Sequence, residues 1–293
     1  MSHPPSQSGS RPWASFHGGH SAYTDGGGTV MEIAAMADAR SFQAYGFSEH
    51  LPSPDVSPND KMPDTIESSE WMPQYVEEVR AAQQRYRGRV RFLLGAEFEY
   101  LRGAEAVTRQ LIKRWPFEYL VGSVHYMSYD DVYIGIDWDR PRLDEAMRRA
   151  GGPEQLQLDY YEHVLELLDW HLAHVLGHID LIKMLLEPAE QVRTPAITAK
   201  VEAVLETVRD HNVALDVNAR GLIKPCRAIY PADWILTEAA RIGVLPTLGD
   251  DSHGPEEVGA RLDQAVVTLR QSGFEHMALV HPGGSLEKVT LPG

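Results

Sequence analysis

Only one cysteine, Cys226, occurs in 293 residues. That excludes an internal disulfide framework and a zinc site built from several thiolates, and it points to a reducing compartment, so the cytoplasm is the expected location. Basic residues are also short, with 27 Lys and Arg against 42 Asp and Glu for a formal net charge of -15. Polyanion binding rests on clustered Lys and Arg that release counterions, so no general nucleic-acid partner is expected and any phosphate must be met locally. No apolar run is long enough to span a membrane. Residues 1–12 are rich in Ser, Pro and Gly without an apolar centre and read as a flexible tail rather than a signal peptide. Repeats and low-complexity tracts are missing, and the oligomeric state is left open.

What is present is enough apolar residue, 43%, to bury a full core, and residues 13–293 read as one barrel-sized domain. Short apolar runs alternate with longer stretches of helical period, the pattern of a parallel sheet wrapped in helices. The runs at 14–16, 44–47, 90–94, 117–121, 174–176, 213–217 and 244–248 are the expected strands, and a further run at 277–280 closes or flanks the sheet. Helices are expected at 30–40, 70–86, 105–115, 159–170, 198–211, 234–242 and 255–271.

The stretch SFHGGHSAYTDGGG places His17, His20 and Asp25 beside glycines that let the backbone bend sharply. Imidazole and carboxylate together suit divalent zinc, manganese or iron. Later segments supply matching groups. His50 follows the second run, Glu97 the third, His125 the fourth, His178 the fifth, and Asp251 and His253 the last. In a (β/α) barrel the C-terminal ends of the strands converge on the axis, so ligands scattered along the chain can meet there. Glu99 shares the parity of Glu97, and alternation alone does not choose between them. Asp251 and His253 point to one face of an extended segment, which leaves Asp250 as a bystander. His163, His171 and His174 read as structural. His174 and His178 imitate a helical metal pair, but HVLGHID reads as strand, where four residues rise about 13 Å, and the pair is rejected. His3, His211, His276 and His281 have no ligand context.

FHGGHSAYTDGG, GFSEH, GAEFEY, VGSVHY, LGHIDLIK, LDVNARGLIKP and GDDSH, in that order, resemble the motif series of the PHP (polymerase and histidinol phosphatase) superfamily, and within it the histidinol-phosphate phosphatases. The match runs from about Ser15 to His253. The resemblance implies an α/β fold, a distorted (β/α)7 TIM-like barrel, with two to three divalent metal ions at its C-terminal face. It implies one metal on His17, His20, Glu97 and Asp251, a second on Glu97, His125 and His178, and a third on Asp25, His50 and His253. The family motif sets its first two histidines one residue apart, whereas Gly18 and Gly19 both intervene here, an insertion that two glycines can absorb as a bulge or tight turn. Family members often carry arginine where this chain has Lys183 and Ile223, so phosphate contacts are reassigned to Arg220, Lys183 and Lys224.

The expected chemistry is hydrolysis of a phosphate monoester, L-histidinol phosphate, in histidine biosynthesis. Adjacent divalent metals would supply hydroxide near neutral pH and neutralise the dianion, with Asp251 orienting the nucleophile and His253 or a bound water protonating the leaving alkoxide. Acidic loops at 51–69 and 128–141, the second carrying Asp130, Asp131, Asp137 and Asp139, would suit a cationic substrate. A PHP-type nuclease or other phosphoesterase is the alternative, and a non-catalytic metal-binding protein a third reading. Nine mixed ligands with room for substrate are more than a closed structural site needs.

Overall fold

The computed structural model describes residues 12–52, 66–130 and 132–293. Most of the expected tail, most of the expected loop after Leu51, and Asp131 lie outside them.

Strands buried on both faces carry near-continuous apolar runs rather than alternating ones, and the seven expected runs all become strands of one parallel sheet. These are β1 (Trp13–Ser15), β2 (Phe42–Phe47), β3 (Arg91–Glu99), β4 (Tyr119–Ser123), and then, past a β-hairpin, β7 (Val175–Leu176), β8 (Ala214–Asn218) and β9 (Pro246–Gly249). The hairpin is β5 (Tyr126–Tyr129) and β6 (Val132–Gly135). Sheet order is β1-β2-β3-β4-β7-β8-β9. Just past β1, the Phe16 N–H donates to the Leu248 carbonyl of β9 at 3.0 Å, and the Asp251 N–H, just past β9, donates to the His17 carbonyl at 2.8 Å. The sheet therefore curls into a nearly closed α/β barrel of seven parallel strands.

Helices α1 (Val30–Ala39), α2 (Met72–Arg85), α3 (Glu105–Ile112), α4 (Arg140–Ala150), α5 (Pro153–Asp169), α6 (Pro195–Asp210), α7 (Asp233–Ile242) and α8 (Leu262–Gln271) accompany the strands. The start of α1 follows from its sequence: Thr29 accepts from the Glu32 N–H while the Glu32 carboxylate accepts from the Thr29 N–H, a capping box that holds two otherwise unpaired donors. Val30, Ile33, Ala34 and Ala37 then face inward. Buried side chains such as Phe16, Phe47, Leu93, Val121, Leu215 and Leu248 fill the core, each contributing about 1.5–3 kcal/mol relative to exposure. No described helix is long and apolar enough to cross a membrane.

Two expectations change, and a third, the run at 277–280, is decided in favour of flanking the sheet. Residues 128–141 are not one loop, since they contain most of the hairpin and lead into α4, which the sequence reading missed. That helix, RPRLDEAMRRA, buries only Leu143 and Ala146, too few for a strong period, although Asp139 as N-cap and Pro141 in the first turn were visible start signals. The expected helix at 255–271 divides into a 3-10 turn, Pro255–Glu257, and α8. The run at 277–280 does not close the barrel. It forms β10 (His276–Val280), paired antiparallel with β11 (Leu286–Thr290) and tied to β9 where the Thr247 hydroxyl donates to the Ala278 carbonyl at 3.1 Å.

Candidate metal centre

The barrel turns sequence spacing into convergence. His17, His125, His178 and Asp251 each lie two residues beyond the end of a strand, β1, β4, β7 and β9 respectively. Glu97 sits inside β3, where a parallel bridge pairs it with His50. The nine sequence-derived candidates are all brought to this one end of the barrel.

Glu97 lies at their centre, 2% exposed. Its Oε2 is 3.2 Å from His17 Nε2, 3.4 Å from His50 Nδ1 and 3.7 Å from His20 Nε2. Its Oε1 is 3.6 Å from His178 Nε2 and 3.8 Å from His125 Nε2. One carboxylate thus presents a separate oxygen to each of two sets of imidazoles. Asp251 Oδ1 stands 3.5 Å from both His20 Nε2 and His253 Nδ1, and the Asp25 carboxylate is 3.1 Å from His253 Nε2 and 3.6 Å from His50 Nε2. Ligand atoms close enough to share an ion fall into four overlapping groups: His17, His20 and Glu97; Glu97, His125 and His178; His17, His178 and Asp251; and His20, Asp25, His50 and His253. His20 therefore belongs with the Asp25 set as well as with His17 and Glu97.

These residues fit a divalent cation on a structural criterion. His17 Nε2, both ring nitrogens of His20, Glu97 Oε1 and His178 Nδ1 are buried without a hydrogen-bond partner among the described residues. Buried polar atoms are nearly always paired, and a cation among imidazole and carboxylate lone pairs would satisfy several at once. Burial pushes the Glu97 carboxyl up, but the His17 and His50 rings outweigh it and hold Glu97 well below the usual carboxylate range. Burial takes His178 down to about 3, aided by His125 and His17. Burial lowers His17, His125 and His253 too, but neighbouring carboxylates outweigh it and raise all three, His125 to about 10, so a metal, which needs neutral imidazole, would displace protons from these rings on binding.

A second ring of residues aims the first, and it was largely missed in the sequence. Asp216 Oδ2 accepts the His17 Nδ1–H at 2.6 Å and the His178 backbone N–H at 3.3 Å, which turns the lone pair of His17 Nε2 toward Glu97. Asn218 Nδ2 donates to Asp216 Oδ2 and to Asp251 Oδ2, both at 3.1 Å. Glu99, left level with Glu97 by alternation, takes the His125 backbone N–H at 2.8 Å and the His125 Nδ1–H at 2.6 Å, so it orients His125 while Glu97 occupies the centre. Glu49 accepts from the Ser21 N–H at 2.6 Å and the Thr24 hydroxyl at 2.5 Å and so fixes the segment that carries Asp25; burial pushes its carboxyl up to about 7. Asp250, read as a bystander, takes the Ser15 hydroxyl at 3.0 Å and the Gly259 N–H at 2.5 Å behind the ligand loop. The one signal for these residues was an acid placed in or beside an apolar strand.

The doubled glycine is accommodated locally. Gly19 has φ +72°, and a Cβ there would meet Phe47 Cδ1 at 2.9 Å; a Cβ on Gly18 would lie 2.0 Å from Asp250 Oδ1. Only glycine combines that turn with that closeness, and both His17 and His20 still reach Glu97.

A cavity of about 340 Å³ opens over the cluster, lined among others by Asp25, His50, Glu97, Arg220, Lys224 and His253. Arg220 Nη1 donates to the Asp251 carbonyl at 2.8 Å and also to Glu257, while its Nε is buried without a partner. Lys183 does not line this cavity. Its ammonium donates to Asp180 Oδ2 at 2.8 Å and the Ile229 carbonyl at 2.7 Å, over the ring of Tyr230, which does line the cavity. Of the described acidic residues at 128–141, only Asp137 is in the lining. Asp139 caps α4 and pairs with Arg142, and Asp130 is 3.8 Å from Arg149 with its side chain 95% exposed. His163 is buried in α5 with Nδ1 donating to the Asp159 carbonyl at 2.8 Å. His174 Nδ1 accepts the Leu120 N–H at 3.0 Å, so it serves the start of β4 while His178 serves the other end of the barrel.

Fold and site together define a class: a (β/α) barrel with a divalent-metal centre at the C-terminal ends of its strands. The chain belongs to the PHP family, whose PHP domain model matches residues 17–220. It is 30% identical over 261 residues to the probable histidinol-phosphatase of Deinococcus radiodurans, covering 87% of this chain and 91% of that one. It is 26% identical over 240 residues to the histidinol-phosphatase of Bacillus subtilis, covering 79% and 89%. Among solved structures, the histidinol phosphate phosphatase of Lactococcus lactis subsp. lactis, complexed with zinc, L-histidinol and phosphate, superposes with a TM-score of 0.74 at 20% identity, covering 94% of this chain and 99% of that one.

Proposed function

We propose that the protein is a metal-dependent phosphomonoesterase that hydrolyses L-histidinol phosphate to L-histidinol and phosphate. The observation that carries this reading is the central Glu97 carboxylate, one oxygen toward His17, His20 and His50 and the other toward His125 and His178, at the floor of a cavity that also presents Arg220 and Lys224. Relatives named histidinol-phosphatases along most of the chain support the choice of ester.

Two to three divalent ions, with zinc, manganese or iron suited to the donors, would be held by His17, His20, Glu97 and Asp251, by Glu97, His125 and His178, and by Asp25, His50 and His253, with His20 beside the last set. Bound there, such ions neutralise a phosphate dianion and lower the pKa of coordinated water toward neutrality. The chain's own groups do the rest. Asp216 and Glu99 hold the His17 and His125 rings by Nδ1 and leave Nε2 for coordination. Asn218 fixes Asp251, which faces His20 and His253. The His253 Nδ1–H donates to the Asp251 carbonyl at 3.0 Å, which leaves Nε2 facing Asp25. Arg220, pinned by Glu257 and the Asp251 carbonyl, and Lys224 supply the cationic side of the cavity for phosphate oxygens.

The test is phosphate release from histidinol phosphate beside a neutral alkyl phosphate and a single-stranded oligonucleotide. Histidinol phosphate should exceed the alkyl ester by at least about tenfold in kcat/KM, the scale of one charged contact. Preferential cleavage of the oligonucleotide would move the protein to the nuclease side of the family.

A further inference from the structure

The cavity also carries a carboxylate and an aromatic ring outside the proposed ligands and phosphate contacts. The backbone past β6 is tied to the metal centre, because the Ile136 N–H donates to the His125 carbonyl at 2.9 Å. Asp137 comes next and lines the cavity, and its Oδ1 is buried without a hydrogen-bond partner. The other carboxylates in the lining, Asp25, Glu97 and Asp251, all face cluster histidines within 4.0 Å. Asp137 has no such ion pair among the described residues and acts on the cluster only as a more distant charge that favours the protonated His125 ring. Trp138 lines the same cavity, 39% exposed, with the Arg142 guanidinium 4.6 Å from its ring centroid and Arg142 itself held by Asp139 at 2.7 Å. Apolar lining is supplied by Leu181, Met184 and Tyr230.

A buried carboxylate without a partner costs free energy that a cationic ligand would recover. The part of the exposed indole that Arg142 leaves uncovered is a stacking surface. The proposed substrate offers a matching pair of groups: its ammonium is on the carbon beside the ester methylene, and its imidazole lies one methylene further out. We propose that Asp137 and Trp138 form the leaving-group subsite, the Asp137 carboxylate taking the ammonium and the Trp138 indole packing on the aromatic ring. This rests on the phosphomonoesterase reading and names the residues that select the ester.

Four esters test it on the metal-loaded enzyme: histidinol phosphate, its deamino analogue 3-(imidazol-4-yl)propyl phosphate, 2-aminopropyl phosphate, which keeps the ammonium without the ring, and propyl phosphate. For Asp137→Asn the preference for ammonium-bearing over deamino esters should fall about tenfold to a hundredfold, the range of a charged hydrogen bond. For Trp138→Leu the preference for ring-bearing over ringless esters should fall about two- to tenfold, the range of an aromatic contact. Unchanged ratios, or an Asp137→Asn protein that loses its metal, would overturn the subsite. Wild-type enzyme that releases phosphate from none of the four would instead sink the hydrolase reading beneath it.

Discussion

At the scale of single residues, the centre depends on one group touching more partners than any other. The Glu97 oxygens face five imidazoles between them, whereas His50 contributes to one side. Glu97→Gln keeps the shape but removes the charge that lets both oxygens act as ligands, so it should lower kcat/KM and metal content more than His50→Asn does. Metal analysis and initial rates on the two variants check this, and equal or milder loss at Glu97 would move the bridging role to another carboxylate. The nine proposed ligands could be picked out in the sequence because most lie at or just past the end of an apolar run, the one place where a barrel gathers distant residues, while His20 and Asp25 stand in the glycine-rich segment that follows His17. Asp216 was not, for a physical reason. Its partner His17 is 199 positions away, and a carboxylate within a strand gives no sign of which imidazole it will face. Lys183 shows the converse, a cation placed near the site by its motif but taken up by Asp180 and the Ile229 carbonyl.

At the scale of elements, the strands were legible because double-sided burial writes itself as unbroken apolar residues, while the hairpin and α4 were not because so little of them faces the core. Hairpin and helix start nevertheless bracket Asp137 and Trp138, so the least legible stretch is the one assigned to specificity. The β1 loop is the opposite case, where the sequence itself showed the extra glycine. Because Gly19 turns with φ +72° against Phe47, Gly19→Ala should strain the loop by about 1–2 kcal/mol, the cost of a left-handed conformation for a residue with a Cβ, beyond the contact itself. A melting temperature several degrees below wild type, with reduced metal content, is expected. A variant that melts and binds metal as wild type does would show that the loop has another conformation available.

At the scale of the whole molecule, the fold gathers histidine and carboxylate from positions 17 to 253 into a buried centre that leaves polar atoms without partners among the described residues. Such a centre is held together by what it binds, and removing a ligand that favours the native state also removes stability. The most direct measurement of this view is metal content and phosphate release from histidinol phosphate on one purified sample, before chelation, after exhaustive chelation, and after a divalent metal is restored. The expected result is two to three equivalents of metal at the start, activity abolished by the chelator, a lowered melting temperature in the stripped protein, and recovery of both on reloading. Full activity with metal at background would contradict it.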